Sequence, residues 1–160
     1  MKKLGKLLLT FVIVFAFAFA LVGCGKGDKL TGTTTIVLNN GSSNVEYVID
    51  LEECEFVEGD NVYKALVWLA EDKDIAFSAT TTFATTGNDA FVNSIGNLNP
   101  AYGSTEYVAL FHNVESQKDV SAWALPDKTY NGTTVYYSGV GVGALKLADG
   151  LIVYLTLLSY

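Results

Sequence analysis

Two short runs near the start of the chain alternate between apolar and polar positions. Ile36 and Leu38 are apolar positions in the first run, and every second residue is apolar from Val45 to Leu51 in the second. Asn40-Gly41 lies between the two runs, and Asn-Gly flanked by alternating residues is a strong hairpin signal. A period of two predicts half-buried strands. The sequence therefore predicts an antiparallel hairpin.

A helical period follows the hairpin. Asp60 is a suitable N-cap, and the pattern stops near Glu71-Asp72, which predicts a helix of about three turns. The apolar residues that would form its buried face have the spacing i, i+3, i+4 and i+7: Val62, Ala65, Leu66 and Leu69.

The remaining signals are mostly those of strands. The predicted strands span residues 75–83, 91–95, 107–112, 133–138 and 151–158. The last of them, Leu151 to Leu158, is apolar on both faces, which predicts a central position in a sheet. A stretch from Asn113 to Asn131 is interpreted as an insertion. The glycine-rich run Gly139 to Ala144 predicts a strand or bulge where two backbones approach closely.

This order of elements predicts an α+β fold. A single amphipathic helix can cover one face of a sheet, so we expect a β-grasp-like mixed sheet with one helix packed on one face and the final strand paired beside the first. The alternative is a β-sandwich with a helical insertion. No internal repeat or second boundary is visible, so residues 33–160 are predicted to form a single domain.

The N-terminus has the pattern of an export signal. Three Lys residues lie in the first six positions, and Leu7 to Val22 is free of charge. Leu21-Val22-Gly23-Cys24 resembles the bacterial lipobox, the cleavage and lipidation signal of surface lipoproteins. The resemblance implies that residues 1–23 are a signal peptide, that Cys24 carries the lipid, and that residues 24–32 are a lipidated tether.

Two alternatives compete with lipidation. An uncleaved membrane anchor would have an apolar run slightly short for a bilayer of about 30 Å, and a plain secretory signal would leave a Cys at the cleavage point by chance. Lipidation predicts a protein held at the cell membrane on its extracellular face. The absence of Arg and the short tether favour a Gram-positive source.

The charge balance narrows the class of partner. Loss of the predicted leader leaves seven Lys against 17 acidic residues, a formal charge of −10. Such a chain is repelled by phosphate backbones, so no nucleic-acid partner is expected. The acidic run from Asp50 to Asp60 has the oxygen ligands that calcium prefers, but it lacks the pattern of an EF-hand loop. We interpret it as a solvated face, and no metal site is predicted.

The sequence shows no catalytic residues. With Cys24 acylated, Cys54 has no Cys to pair with, and we interpret it as a small core residue. His112 is the one His and lies in an apolar strand without a carboxylate or Cys at ligand spacing. No nucleophile motif accompanies it. The chain is therefore expected not to be an enzyme, and no cofactor is predicted.

Several segments together resemble a known family. From Val45 to Tyr160 the chain is similar to a family of unknown function found in bacterial surface lipoproteins, related to the C-terminal β-domain of transcobalamin and intrinsic factor. The matching segments are 61–66, 91–96, 107–111, 139–142 and 147–150. The resemblance implies a β-grasp fold and raises corrinoid binding as a lesser hypothesis. The chain departs from the family pattern at Tyr107, at His112-Asn113 and at Leu151.

The aromatic residues are the candidate ligand-binding set. Trp123 and Tyr130 lie in the insertion, and Tyr136 and Tyr137 are neighbours on the next strand. Neighbours on a strand point to opposite faces, so one of the two is expected to be exposed. Exposed aromatic rings favour recognition of a small ligand, a glycan or a surface protein. Trp123 capping the core is the alternative. The predicted function is a non-catalytic binding domain, with a structural module of the cell envelope as the other hypothesis.

Overall fold

The structure is a computed structural model that describes residues 27–81 and 90–159. Within these residues, one helix, α1 (Val62–Asp72), accompanies eight strands. The strands are β1 (Thr33–Asn39), β2 (Asn44–Asp50), β3 (Phe77–Thr80), β4 (Phe91–Ile95), β5 (Glu106–His112), β6 (Lys128–Tyr130), β7 (Thr133–Tyr137) and β8 (Leu151–Ser159). A short 3-10 turn occupies Glu115–Gln117. The predicted signal peptide and Cys24 lie outside the described residues.

Six strands form one curled mixed sheet, a half-barrel, in the order β2-β1-β8-β5-β7-β6, and β3 and β4 form a separate two-stranded sheet. β1 pairs antiparallel with β2 and parallel with β8. The remaining neighbours in the large sheet are antiparallel. The fold is therefore α+β, and the predicted pairing of first and last strands is confirmed.

The predicted hairpin, helix and central last strand are all present. Asn40 lies in the β1–β2 turn, where its backbone N–H donates to the carbonyl of Ser43 at 3.2 Å. Helix α1 ends at Asp72 as expected, but its N-cap is Asn61 and not Asp60, since the Asn61 side chain accepts from the backbone of Lys64. The predicted strand over residues 75–83 is shorter where it is described, at Phe77–Thr80.

The large sheet separates two apolar clusters. On one face, Val62, Ala65, Leu66 and Leu69 of the helix pack against the sheet as the periodicity predicts. On the other face, the curvature of the sheet encloses a second cluster, which we call the concave cluster. Its buried members are Val37, Ala109, Phe111, Tyr130, Val135 and Tyr154. The concave cluster determines where the aromatic candidates lie.

Candidate functional site

The concave cluster holds its aromatic rings in mutual contact. Phe111 is fully buried, with the ring centroids of Tyr137 and Tyr154 at 5.3 and 6.3 Å. The Lys128 ammonium lies 5.3 Å from the centroid of the Phe111 ring. Offset and edge-on aromatic contacts of this kind stabilise a core by about 0.5–1.5 kcal/mol each beyond area burial. These rings therefore fill much of the half-barrel.

Tyr130 belongs to this core, which corrects the prediction that it is an exposed recognition residue. Only 6% of Tyr130 is exposed, and its ring lies 5.9 Å from that of Tyr154. The reason is that Tyr130 ends strand β6, whose pairing with β7 turns the ring toward the concave face. Its hydroxyl donates to the carboxylate of Glu46 on β2. This contact joins the two edge strands of the sheet through side chains.

Tyr136 and Tyr137 are both half-buried, so the prediction that one of them is exposed is wrong. Tyr137 packs on the ring of Phe111, as expected for the inward member of the pair. Tyr136 points the other way, but the Lys118 ammonium covers its ring at 5.4 Å from the centroid. Both rings remain partly exposed.

Trp123 is the one member of the predicted set that is exposed. Its relative exposure is 87%, which excludes the alternative that it caps the core. The backbone N–H of Trp123 donates to the hydroxyl of Ser121 at 3.3 Å, within a loop that contains no helix or strand. Val120, in the same loop, is also largely exposed. The loop therefore carries an apolar surface without a partner in the described part of the chain.

An open pocket lies beside this loop. It has a volume of about 390 Å³ and is lined by Phe91 of β4, by Asp119 and Ser121 of the loop, and by Ser138 and Gly139–Gly141 after β7. These segments are far apart in the sequence and meet because the loop returns to β7. There, the backbone N–H of Asp119 donates to the carbonyl of Tyr137 at 2.8 Å. The ring of Phe91 is 54% exposed.

A narrower slot of about 110 Å³ adjoins the open pocket, and the two share Phe91 and Gly141 among their lining residues. The slot exists because β7 pairs with β5 over two residues and then leaves it. The last contact is from the Ser138 backbone to the Leu110 carbonyl at 3.0 Å. Val108, two residues before Leu110, directs its backbone groups to the same side and lines the slot. A ligand in the slot would meet apolar walls and a backbone donor and acceptor.

Asp119 supplies the negative charge of the open pocket, and no other charged side chain of the described residues lines it. One of its oxygens accepts from the backbone of Ser121 at 2.7 Å, which fixes the orientation of the carboxylate. Burial raises the pKa of Tyr137, and the neighbouring Tyr107 and the Asp119 charge raise it further.

Gly141 confirms the predicted close approach of two backbones, although the run Gly139 to Ala144 is a loop and not a strand. A Cβ atom at Gly141 would lie 2.7 Å from the carbonyl oxygen of Ala90. That carbonyl accepts from the backbone of Val142 at 2.9 Å, so the approach is held by a hydrogen bond. The glycine thus allows Gly141 and Ala90 to form adjoining walls of the slot.

His112 is fully buried. Its Nδ1 accepts from the backbone of Val114 at 3.2 Å, so the ring proton is assigned to Nε2. Among the described residues, Nε2 has no hydrogen-bond partner of normal geometry. Burial lowers the pKa of His112, and backbone contacts at Gln117 and at His112 itself oppose that shift. The imidazole lines neither pocket.

Cys54 is half-buried, packed against the helix-side core. Burial raises the pKa of its thiol, and the charges of Asp50, Asp72 and Glu53 raise it further. A raised pKa disfavours the thiolate, which is the reactive form. Within the parts of the chain that the structure covers, no three His, Cys, Asp or Glu side chains are grouped to hold a metal ion. No helix there is long and apolar enough to cross a bilayer.

Comparisons with known proteins leave the family open. No family model matches the chain, and no curated protein matches it. Among solved structures, one described as a "putative metal binding protein" from Ruminococcus gnavus ATCC 29149 superposes with a TM-score of 0.48. The match has 8% sequence identity and covers 81% of this chain and 98% of the other. A similarity of this size assigns neither a family nor a ligand to the chain.

Proposed function

We propose that the chain is a membrane-anchored extracellular lipoprotein whose domain binds a ligand without catalysis. The observation that carries the proposal is the open pocket beside the Trp123 loop, joined to the apolar slot. Its volume of about 390 Å³ falls in the range of about 300–1,000 Å³ that is usual for small-molecule sites. The open pocket and the slot together offer apolar walls and a few polar groups, the combination typical of small-molecule sites.

The groups around the pocket favour a small ligand with a flat apolar face and several hydroxyls, such as a sugar. Phe91 provides an exposed ring at the pocket, and Trp123 lies two residues after the lining residue Ser121. Asp119 provides a carboxylate acceptor that is already oriented, so an anionic ligand is disfavoured. A glycan or the side chains of a surface protein would meet the same requirements.

Ligand binding is tested by thermal shift on a leaderless chain that begins at Gly25, with a panel of sugars, corrinoids and divalent metals. A ligand at a hundredfold excess over its dissociation constant stabilises the fold by about 2.7 kcal/mol. Replacing Phe91 with Ala should abolish that shift. The matched control is Tyr102→Ala, which removes a fully exposed ring that does not line the pocket. Equal shifts in both variants would refute the assignment of the site.

Lipidation rests on the lipobox pattern before Cys24 and needs its own test. Mass spectrometry of the membrane fraction should find a mature chain that begins at Cys24 with an acylated sulfur. Replacing Cys24 with Ser should release the domain from the membrane fraction. An intact leader with an unmodified thiol would contradict the proposal.

The finer fold assignment is a β-grasp-like domain. The strand order β2-β1-β8-β5, with the first and last strands parallel and one helix on one face, supports it. The resemblance to the transcobalamin C-terminal-like family stays a prediction, and corrinoid binding remains the lesser hypothesis within it.

The alternative is an interaction module of the cell envelope without a small-molecule ligand. The exposed apolar residues Val120 and Trp123 favour it, because a protein partner would bury them. In that case no member of the ligand panel would shift the melting temperature. A surface protein would instead co-purify with the wild type and be lost in the Trp123→Ala variant.

A further inference from the structure

Among the described residues, no strand pairs with the outer edge of β2. β2 spans Asn44–Asp50, pairs with β1 on one side, and lies at the end of the sheet order. It has seven residues, whereas β6 at the opposite end of the large sheet has three. A strand edge presents backbone N–H and C=O groups that can pair with another chain.

The hydrogen bonds at the two ends of the hairpin show which backbone groups point outward. The Asn40 N–H donates to the Ser43 carbonyl at 3.2 Å, and the Leu51 N–H donates to the Gly32 carbonyl at 2.9 Å. Hydrogen-bonded pairs alternate with non-bonded pairs in an antiparallel ladder. Counting in steps of two from either end places Tyr47 in a bonded pair. The backbone N–H and C=O groups of Tyr47 therefore point toward β1.

The residues on either side of Tyr47 therefore direct their backbone groups outward. These are Glu46 and Val48, and no described residue bonds to their outward N–H or C=O groups. The Val48 side chain is 61% exposed. The β1–β2 register contains no bulge, and β2 contains no Pro or Lys. Of the devices that protect an edge strand, β2 therefore lacks Pro, Lys and a bulge and keeps the acidic side chains of Glu46 and Asp50, which a basic partner would neutralise.

The side chains along this edge indicate the charge of its partner. Glu46, Val48 and Asp50 point to one face because they are two residues apart. The carboxylate of Glu46 uses one oxygen for Tyr130, and the other oxygen has no partner among the described residues. A second copy of the chain would bring like charges together at this edge, which is unfavourable.

We propose that β2 binds an extended segment of a partner protein by adding it as a further strand to the sheet. The segment alternates basic and apolar residues. Its backbone pairs with Glu46 and Val48, and its basic side chains lie near the carboxylates of Glu46 and Asp50. Main-chain pairing supplies affinity in this mode of recognition, and alternate side chains supply specificity. This surface is separate from the pocket of the proposed function.

The test uses an acetylated, amidated peptide of seven alternating lysine and valine residues, with a glutamate–valine peptide as the charge control. Binding to the leaderless chain that begins at Gly25 is measured by isothermal titration calorimetry. We expect the lysine peptide to bind at least tenfold more tightly than the glutamate peptide, and the difference to shrink as sodium chloride is raised.

The sharpest variant is Val48→Pro. Proline removes the outward N–H that the peptide would use, and it is tolerated on an edge strand when that N–H does not belong to the ladder. The variant should bind the lysine peptide about tenfold more weakly, since it loses a hydrogen bond and its ring obstructs pairing. Val48→Ala keeps the N–H and should bind as the wild type does. Circular dichroism checks that both variants fold.

A charge variant keeps the proposal testable if Val48→Pro does not fold. In the wild type, the Asp50 carboxylate accepts hydrogen bonds from the backbone N–H groups of Glu52 and Glu53, each at 3.0 Å. The variant Asp50→Asn retains a side-chain oxygen that can accept both bonds. It should weaken the lysine peptide about two- to fivefold. The proposal is overturned if the lysine peptide does not bind, if both peptides bind equally, or if Val48→Pro binds like Val48→Ala. Self-association that Val48→Pro abolishes would assign the edge to a second copy and overturn it as well.

Discussion

The bond between Tyr130 and Glu46 should contribute measurably to stability, because it joins the two edge strands of the half-barrel. Tyr130→Phe removes the hydroxyl and keeps the ring, so the contact with Tyr154 at 5.9 Å is preserved. The variant therefore isolates the hydrogen bond from the packing.

The expected loss is about 1 kcal/mol of unfolding free energy. A hydrogen bond to a charged group contributes about 1.5–3 kcal/mol to stability. Glu46 is exposed, however, so water replaces the lost donor and reduces the cost. For a domain of this size, 1 kcal/mol corresponds to a fall in melting temperature of about 4 °C.

The assay is urea denaturation of Tyr130→Phe beside Tyr136→Phe. Tyr136 is a half-buried tyrosine for which no hydroxyl bond is seen in the described structure, so its variant should be nearly neutral. A double-mutant cycle with Glu46→Gln should give a coupling energy of about 1 kcal/mol. Equal stability of the two Phe variants, or a coupling energy near zero, would refute the proposed link between the sheet edges.

The same bond predicts a response to alkaline pH. Burial, and then the contact with Glu46, raises the pKa of Tyr130 from 10.0 to about 12. A proton held more tightly in the folded state stabilises the fold. This stabilisation is fully present below pH 10 and is lost between about pH 10 and 12. The Tyr130→Phe variant should lose less stability over that interval than the wild type does.

Three further predictions concern the helix-side core and the pocket loop. Lowering the pH below about 6.5 should destabilise the fold by up to about 1.4 kcal/mol per pH unit. The reason is that the pKa of His112 is lowered in the folded state, so the unfolded chain binds the proton at a higher pH than the folded chain does. His112→Asn keeps an acceptor for Val114, and urea titrations at several pH values should show a flatter profile. Gly141→Ala should cost about 1–3 kcal/mol by calorimetry, since its Cβ meets the Ala90 carbonyl at 2.7 Å. Trp123→Ala should leave the melting temperature within about 1 °C of the wild type, because its side chain is 87% exposed; a larger fall would show that the indole packs in solution.

The elements with strong local patterns could be predicted from the sequence. The hairpin has a clear period of two and an Asn-Gly turn, and α1 has four apolar residues at helical spacing. The central position of β8 followed from apolar residues on both faces. In each case the pattern within the segment already reports how many of its faces are buried.

Strand β6 was missed because it has three residues and lies in a stretch interpreted as an insertion. A usable signal was present: Asn131-Gly132 joins β6 to β7, and both residues have positive φ, at 48° and 81°. These are the angles that a two-residue hairpin turn requires, and Asn-Gly favours them. Recognising this turn in the sequence would have placed Tyr130 on a strand. The prediction that Tyr130 is an exposed aromatic residue of a loop would then have had less support.

The pocket could not be predicted, because it depends on contacts between distant segments. Phe91, Asp119 and Gly141 line it from three separate parts of the chain. Nothing in the local sequence around Asp119 indicates that its loop returns to β7. The close approach at Gly141 was predicted from the glycine-rich run, but the partner, Ala90, was not.

The parallel pairing of β1 with β8 has a consequence for synthesis of the protein. The first strand of the domain obtains this neighbour only after the final residues of the chain have been translated. Until then β1 lacks a partner on that side, and most contacts of the sheet are distant in sequence, which slows folding. A nascent chain of this topology therefore cannot complete its large sheet until strand β8 has been made.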